Sequence, residues 1–285
     1  MDDYVAYGIE LGGIWFDGTT DVPTGWGFSG LRDWRRLPDS KNPSDSNPLG
    51  DGDFTPGEIL RSSLAVSFDA FFLGEDAADA LAAQARITAW GAFRTPQPMT
   101  VHAQDGSWTR MVSIRAATPK DNYGGNDVEF SIDVLAHDPI RYGPEFLITT
   151  GMPDNSGGYS YPYTYPYTYA MSSDSGRLVI PNTGSADGYP LLEVTGGMSQ
   201  GVELIVNGRG RLRVERPIGD TQSLVFDTAE QRVFLDGTSP IPSRLVTARD
   251  WFSVPPEGST TVTVRPLGTV TGDPKFIARM RAASW

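Results

Sequence analysis

Cysteine is absent from the 285 residues, and histidine occurs only twice. The first absence excludes disulfides, a thiol nucleophile and a zinc site built on cysteine. The two histidines, His102 and His137, lie far apart in the sequence, and neither has a second ligand at metal-binding spacing. We therefore expect no metal centre and no bound cofactor.

Long apolar runs are also missing. No stretch approaches the roughly 18 consecutive apolar residues of a membrane-spanning helix. The first ten residues, MDDYVAYGIE, lack the basic and apolar parts of a signal peptide. These two observations predict a soluble protein that does not contact a membrane and is not exported on its own.

Basic residues are scarce in the first half of the chain. Residues 1–142 contain 11 Lys and Arg against 21 Asp and Glu, a net charge of −10, whereas residues 143–285 contain 12 against 14. The affinity of nucleic-acid-binding proteins depends largely on basic side chains that neutralise phosphates. We therefore expect that this protein does not bind DNA tightly.

Glycine and proline are abundant, at 32 and 22 residues, which is typical of a mainly β protein with many turns. Single cores usually stop growing near roughly 250 residues, so two domains are expected. We predict a first domain at 1–150, a connector at 151–176 and a second, all-β domain at 177–285. The predicted strands of the first domain are 4–16, 59–72, 98–103, 108–116 and 127–136. Those of the second are 177–181, 189–195, 202–207, 210–215, 222–227, 232–236, 243–247, 260–265 and 275–282.

One helix is predicted in the first domain, from Glu75 to Trp90. Acidic residues crowd its first turn, as the helix dipole prefers. Ala77, Leu81 and Ala85 fall on one stripe, which we expect to be buried against a sheet. A contact with another subunit is the alternative interpretation of this narrow face.

Two irregular segments carry candidate contact residues. The connector repeats the tetrapeptide YPYT, at 161–164 and 165–168, and such proline spacing is incompatible with a helix or a central strand. Its tyrosines are candidate surface contacts: Tyr161, Tyr163, Tyr165 and Tyr167. The segment 37–57 is long, polar and acidic, and its aspartates are Asp39, Asp45, Asp51 and Asp53.

A basic strand is predicted in the second domain, in the sequence RGRLRVER. Because side chains alternate along a strand, Arg209, Arg211 and Arg213 point to one face and Leu212 and Val214 to the other. This face is either solvated or a contact with a partner, such as a polyanion or another subunit.

Catalytic motifs are not found. The sequence contains no H-E-x-x-H, G-x-S-x-G, Walker A or dinucleotide-binding glycine pattern. Two acids brought together by the fold would still suffice for glycoside hydrolysis, but no residue pair is singled out. We therefore predict that the protein is not an enzyme.

The segment SLVFDTAEQRVFLDG, residues 223–237, reads as a hairpin. Asp227 stands at its turn, where an aspartate bonds its own backbone two residues further on. This local role is sufficient to explain an acid at this position, and we predict a turn residue and not a catalytic carboxylate.

Four motifs occur in the order of a known family. They are VEFSIDVLAHDPIRYG at 128–143, LVIPNTGSADGYPLLEVTGG at 178–197, the FDT and RVFLDG parts of the hairpin, and WFSVPPEGSTTVTV at 251–264. In the first two motifs the matching positions include Asp138, Pro139, Tyr142, Asn182 and Gly184. Over nearly its full length the chain resembles the distal tail (Dit) proteins of long-tailed, non-contractile bacteriophages.

The resemblance implies a structural virion protein of the tail tip. In this family a β-sandwich domain with a helix builds a six-membered ring, and a galectin-like sandwich hangs outside it. The ring joins the tail tube protein to the hub of the baseplate, and DNA passes through its channel. Asp39, Asp45, Asp51 and Asp53 are the candidate channel-facing acids; the alternative is that their segment covers the outside of the ring, where acids provide solubility. A receptor-binding protein is a further candidate partner. Assembly would take place in the host cytoplasm.

A carbohydrate-binding module that contacts the host surface is the alternative function. Galectin-like sandwiches bind sugars, and Trp251 is an aromatic residue on which a sugar ring could stack. Sugar sites usually combine such an aromatic with converging polar groups, and the sequence does not locate them.

Overall fold

A computed structural model describes residues 6–18, 24–42, 46–47, 49–51, 53, 57–120, 125–153 and 176–285. Strands dominate these residues, and the predicted mainly β fold is confirmed. The chain divides between Gly143 and Pro144 into two compact units. Because 154–175 lie outside the described residues, the predicted domain limits stay predictions. No helix in the described part is long and apolar enough to cross a membrane.

The first unit contains a sheet of seven strands that closes on itself. The strands are β1 (Ala6–Leu11), β2 (Ile14–Asp17), β3 (Gly25–Arg32), β4 (Leu64–Leu73), β5 (Gln97–Ala103), β6 (Gly106–Lys120) and β7 (Asp127–Ala136). Their order is β6-β5-β1-β2-β3-β4-β7, and β7 pairs back onto β6. The β2–β3 contact is parallel and consists of one residue pair, Asp17 with Gly27. This contact is the narrowest part of the closed sheet.

Alternate residues of these strands form the core of the first unit. Ile9, Leu11, Phe16, Phe68 and Phe130 are completely buried there. The rings of Phe16 and Phe68 meet edge to face, with centroids 5.5 Å apart. This period-two burial is what a half-buried strand requires.

One helix, α1 (Ala77–Thr88), occupies the predicted position, and a short 3-10 helix (Ala89–Ala92) follows it. The Asp76 side chain caps α1 by accepting hydrogen bonds from the backbone N–H groups of Ala78 and Asp79. Such a cap satisfies donors that have no partner within the helix, and it fixes where the helix begins.

The predicted buried face of α1 is wrong. Ala80, Ala83 and Ile87 are buried, whereas Ala77, Leu81 and Ala85 face solvent, and Leu81 is 67% exposed. Alanines occur on both sides of this helix, so its sequence has little periodic contrast. The contacts of Ile87 and Trp90 with the core decide which face is buried.

The second unit contains two main sheets. Its strands are β9 (Arg177–Asn182), β10 (Leu191–Thr195), β11 (Gly197–Met198), β12 (Gly201–Val206), β13 (Gly210–Val214), β14 (Ser223–Asp227), β15 (Arg232–Leu235), β16 (Ser239–Pro240), β17 (Val246–Arg249), β18 (Gly258–Leu267), β19 (Val270–Thr271) and β20 (Lys275–Ser284), and β8 (Arg141–Gly151) leads into the unit. The orders are β16-β15-β14-β10-β20-β8 and β17-β13-β12-β18-β9, and β11 pairs with β19. A short 3-10 helix (Ser243–Leu245) precedes β17.

Side chains from both of these sheets fill one core. Leu204 and Val262 come from the five-stranded sheet, and Leu192, Phe226 and Phe276 come from the other; all are fully buried. Two sheets that share a core in this way form a β-sandwich.

The hairpin β14–β15 has the predicted turn. Asp227 pairs with Arg232 at the end of the two strands. The Asp227 carboxylate accepts hydrogen bonds from the backbone N–H groups of Ala229 and Glu230, each at 2.9 Å. Asp227 is therefore a turn residue, and its carboxylate is occupied by its own backbone.

Candidate functional site

The Asp138-Pro139 motif of the first unit is organised by local hydrogen bonds. The Asp138 carboxylate accepts from the backbone N–H of Ile140 at 3.0 Å and from the Tyr142 hydroxyl at 2.8 Å. The Pro139 carbonyl accepts from the Arg110 Nε at 2.9 Å. Four motif residues thus hold one turn, and the fifth participant, Arg110, is a residue that the sequence did not single out.

Arg110 is fully buried and connects distant parts of the first unit. Its guanidinium also donates to the Trp34 carbonyl and lies over the Trp34 ring, 4.6 Å from the centroid. Burial, with repulsion from Arg141, lowers the pKa of Arg110 to about 10, and the Asp138 carboxylate opposes this shift. Among the described residues no carboxylate forms a salt bridge with Arg110. Its hydrogen bonds to the Pro139 and Trp34 carbonyl groups join distant segments, so its role is structural.

Asn182 has a corresponding role in the second unit. Its buried amide donates to the carbonyl groups of Ala186 at 2.7 Å and Val254 at 3.1 Å. Its side-chain oxygen accepts from the backbone N–H of Gly184 at 3.1 Å and of Ala283 at 3.4 Å. One side chain therefore joins three segments that are distant in sequence.

Two motif glycines lie where a side chain does not fit. A Cβ on Gly184 would lie 1.8 Å from the Ala283 carbonyl oxygen. Gly196 has a φ of 95°, and a Cβ there would lie 2.6 Å from the Pro274 Cβ. These motif positions are explained by backbone packing and carry no chemistry.

The acidic segment 37–57 is only partly described. Asp39, Asp51 and Asp53 are exposed, and Asp45 lies outside the described residues. Arg36 donates to both carboxylate oxygens of Asp39 at 3.1 Å. Asp53 forms an isolated bridge with Ser46. Because Arg36 pairs with Asp39, the negative charge of the segment is partly neutralised at this position.

Asn42 closes the base of this segment. Its side chain donates to the Glu58 carbonyl at 2.8 Å and accepts from the backbone N–H of Leu60 at 2.7 Å. The backbone N–H of Lys41 donates to the Leu60 carbonyl at 2.8 Å. The role of Asn42 could not be predicted from the sequence, since its partners lie 16 to 18 positions away.

The candidate connector contacts Tyr161, Tyr163, Tyr165 and Tyr167 lie outside the described residues. Their role therefore stays a prediction.

The predicted basic strand lies on the outer side of the five-stranded sheet. Arg211 and Arg213 belong to β13, and Arg209 stands in the turn before it, where it donates to the Ser253 carbonyl at 2.6 Å. Arg265 of β18 lies on the same outer side, because Arg265 and Arg213 both stand opposite Glu203. Arg177 of β9 lies there too, because it stands opposite Thr263, two positions before Arg265 in β18. We call this set the arginine face: Arg177, Arg209, Arg211, Arg213 and Arg265.

Glu203 lies at the centre of the arginine face. The residue is 3% exposed, and its carboxylate is 3.3 Å from Arg211, 3.8 Å from Arg213 and 3.7 Å from Arg265. A groove of about 450 Å³ opens beside it, lined also by Ile205, Gly210 and Asp250. Sequence reasoning missed Glu203 because its burial depends on long side chains from both neighbouring strands.

Trp251, the predicted sugar-stacking residue, is half-buried against the core of the second unit. It lines a cleft of about 310 Å³. Gln231, Arg232, Ser243 and Arg249 line the same cleft. An aromatic side chain and several hydrogen-bonding groups are thus brought together.

The exposed side of α1 forms a shallow groove of about 520 Å³. Its lining residues are Leu81, Gln84, Ala85, Thr88 and Ala89. Within the described ranges, no group of three or more His, Asp or Glu side chains is arranged to hold a metal ion.

No protein-family model and no curated protein matches the sequence. Among solved structures, the chain is similar to the Dit protein (gp 19.1) of SPP1, described as a paradigm of the hub adsorption apparatus in phages that infect Gram-positive bacteria. The TM-score is 0.64 at 16% identity, over 95% of this chain and 97% of that chain.

Chains of the phage P2 baseplate in its activated conformation are also similar. For the structure with Ca, the TM-score is 0.46 at 12% identity, over 93% of this chain and 92% of that chain. For the structure with Sr, the TM-score is 0.47 at 13% identity, over 96% of this chain and 97% of that chain. The similarity to SPP1 Dit shows that the two chains share a fold along almost their whole lengths, as the sequence resemblance predicted.

Proposed function

We propose that this protein is a structural, non-catalytic component of a bacteriophage tail tip. The observation that carries the proposal is the fold shared with SPP1 Dit over 95% of this chain, which includes both units. The four sequence motifs also support it, because they occur in the order of the Dit family, and residues such as Asn182 and Asp138 hold turns and close contacts of the shared fold.

In the proposed assembly, six copies form a ring that joins the tail tube protein to the baseplate hub. A closed ring of identical subunits needs two different, complementary patches on each copy. The exposed face of α1, with Leu81 at 67% exposure, is our candidate for one of them. A receptor-binding protein is a further proposed partner, and the protein would reside in the virion after assembly in the host cytoplasm.

DNA is proposed to pass through the ring without tight binding. Six copies of residues 1–142, each with a net charge of −10, place about 60 excess negative charges around one axis. Such a field repels a polyanion, whereas a basic lining would hold phosphates and slow their passage. The candidate channel residues are Asp39, Asp45, Asp51 and Asp53.

Electron microscopy of the purified full-length protein, alone and with tube and hub proteins, tests this function. We expect rings of one size with a central channel. Native mass spectrometry would give their stoichiometry. A monomer that persists at high concentration with both partners present contradicts the proposal.

Carbohydrate binding at the second unit is a second candidate, favoured by the cleft beside Trp251. The half-buried indole and the neighbouring Arg249 and Gln231 provide the pairing of an aromatic with polar groups that sugar sites use. A glycan array with the full-length protein tests it, and a Trp251→Ala variant serves as the control. Ring formation and glycan binding are measured separately, so one function can fail without the other.

A further inference from the structure

The arginine face has more cationic groups than its own carboxylates use. Glu203 has three arginines within 4 Å, but only Arg211, at 3.3 Å, is at hydrogen-bonding distance. The Arg211 and Arg265 side chains are 58% and 69% exposed. A buried carboxylate such as that of Glu203 needs hydrogen-bonding partners, but one bidentate guanidinium group would be sufficient. The face therefore contains more arginines than Glu203 requires.

The local charge has the opposite sign to that of the chain. The five arginines of the face stand against three carboxylates, Glu203, Glu215 and Asp250, which leaves a local charge of +2 on a chain whose net charge is −12. Two of these acids already have partners within the face. Glu215 is 2.9 Å from Arg213, and Asp250 accepts from the backbone N–H of Arg211 at 3.0 Å. The guanidinium groups of Arg211 and Arg265 lie beside the groove and are more than half exposed, so they can bind a further carboxylate.

The apolar groups on this side favour a polypeptide as the bound molecule. Ile205 stands opposite Arg211 and is 39% exposed, and Val179 of β9, the strand beyond β18, is 49% exposed. Protein interfaces combine such an apolar centre with arginines. None of the described residues that line the groove is aromatic, so they offer no surface on which a sugar ring could stack.

We propose that the arginine face binds a short acidic segment of a partner protein. A short segment suits it better than nucleic acid or a second copy, because the field of a chain at −12 repels an extended polyanion and another acidic chain at long range. In the bound state, glutamates or aspartates of the segment pair with Arg211 and Arg265 across Ile205. This inference does not depend on the tail-tip function.

Fluorescence anisotropy of a labelled decaglutamate peptide with the full-length protein tests the proposal. We expect binding that weakens as the salt concentration rises, because the contact is between charged groups at the surface. The double variant Arg211→Ala/Arg265→Ala should lower the affinity at least tenfold. The matched control, Arg244→Ala/Arg281→Ala, removes the same charge from exposed positions of the second unit outside the face and should change the affinity less than twofold.

Four results would overturn the proposal. One is no binding of the peptide, and another is an equal loss in both double variants, which indicates non-specific attraction. A third is preferential binding of oligogalacturonate, which would make the face a saccharide site. The fourth is salt-sensitive self-association that Arg211→Ala/Arg265→Ala abolishes, which would make it a contact between copies. Unfolding midpoints of all variants are measured alongside, so that a loss of fold is not read as a loss of binding.

Discussion

Gly184 lies against the backbone of Ala283, so closely that a Cβ would be 1.8 Å from the Ala283 carbonyl oxygen. Backbone atoms cannot move aside as the end of a flexible side chain can. We therefore expect Gly184→Ala to lower the free energy of unfolding by about 3 kcal/mol or more, as strain in a packed core does. Urea denaturation measures this value.

Gly219→Ala is the matched control for Gly184→Ala. Gly219 lies in the same unit, and the nearest atom to an added Cβ is the Gln222 Oε1 at 3.4 Å, an ordinary contact. We expect a change within about 0.5 kcal/mol. Equal effects at the two glycines would show that the Ala283 backbone adjusts easily.

Asn182→Ala should also destabilise the second unit. The substitution removes four hydrogen bonds and leaves buried carbonyl and N–H groups without this partner. We expect a loss of about 3 kcal/mol in unfolding free energy, because unsatisfied buried polar groups are costly. Asn207→Ala, in an exposed turn, is the control. A loss below about 1 kcal/mol at Asn182 would contradict the assigned role.

Arg110→Lys tests whether the buried Arg110 stabilises the first unit through its two carbonyl contacts. Lysine keeps the buried charge and its desolvation cost, but it lacks the planar fork that reaches the Trp34 and Pro139 carbonyls together. We expect a loss of about 1 to 3 kcal/mol in thermal or urea unfolding. The control is Arg94→Lys at an exposed position. Full stability of Arg110→Lys would mean that charge alone suffices there.

Substitutions on the two sides of α1 should separate folding from assembly. Ile87→Ala leaves a cavity in the core and should lower unfolding free energy by about 2 to 4 kcal/mol. Leu81→Asp lies on the exposed side and should leave unfolding nearly unchanged while preventing ring formation in electron micrographs. Rings that form normally with Leu81→Asp would remove this face from the proposed subunit contact.

Limited proteolysis tests the predicted connector at 151–176. Pro- and Gly-rich boundaries are preferred cleavage sites, so chymotrypsin should cut within it and release a folded C-terminal fragment. Trypsin should not cut the connector, because the chain has no Lys or Arg between Arg141 and Arg177, and it therefore serves as an internal control. Mass spectrometry identifies the fragments. Resistance to chymotrypsin until global unfolding would contradict the connector interpretation.

Most of the longer strands of the second unit could be predicted from the sequence because their alternation is strong. The predicted strand at 243–247 is wrong in its first part, where Ser243–Leu245 form a 3-10 helix and the strand runs from Val246 to Arg249. β13, with Arg211 and Arg213 outward and Leu212 and Val214 inward, is found at 210–214, against a prediction of 210–215. β3 was missed, since its glycines suggest irregular structure. Gly27 is in a strand because the Phe71 ring covers it, and a Cβ would lie 2.2 Å from that ring. Such a contact with a distant residue leaves no local signal.

The candidate surfaces were only partly predictable for the same reason. The arginines of β13 were visible as a periodic pattern, but Glu203 and Arg265 joined them only through strand pairing. The buried side of α1 was wrong because alanines on both sides hid which face packs. The roles of Arg110 and Asn42 depend on backbone carbonyls of distant residues, whose positions are set by the fold and not by nearby sequence.

The closed strand order of the first unit bears on how copies could meet. Within the described residues, each of its seven strands has a hydrogen-bonded neighbour on both sides, although the β2–β3 junction consists of one residue pair. Away from that junction, a strand from another chain would find few unpaired backbone groups to bind. In the proposed ring, contacts between copies would then depend mainly on side chains, which can differ between related proteins without disturbing the strand pairing.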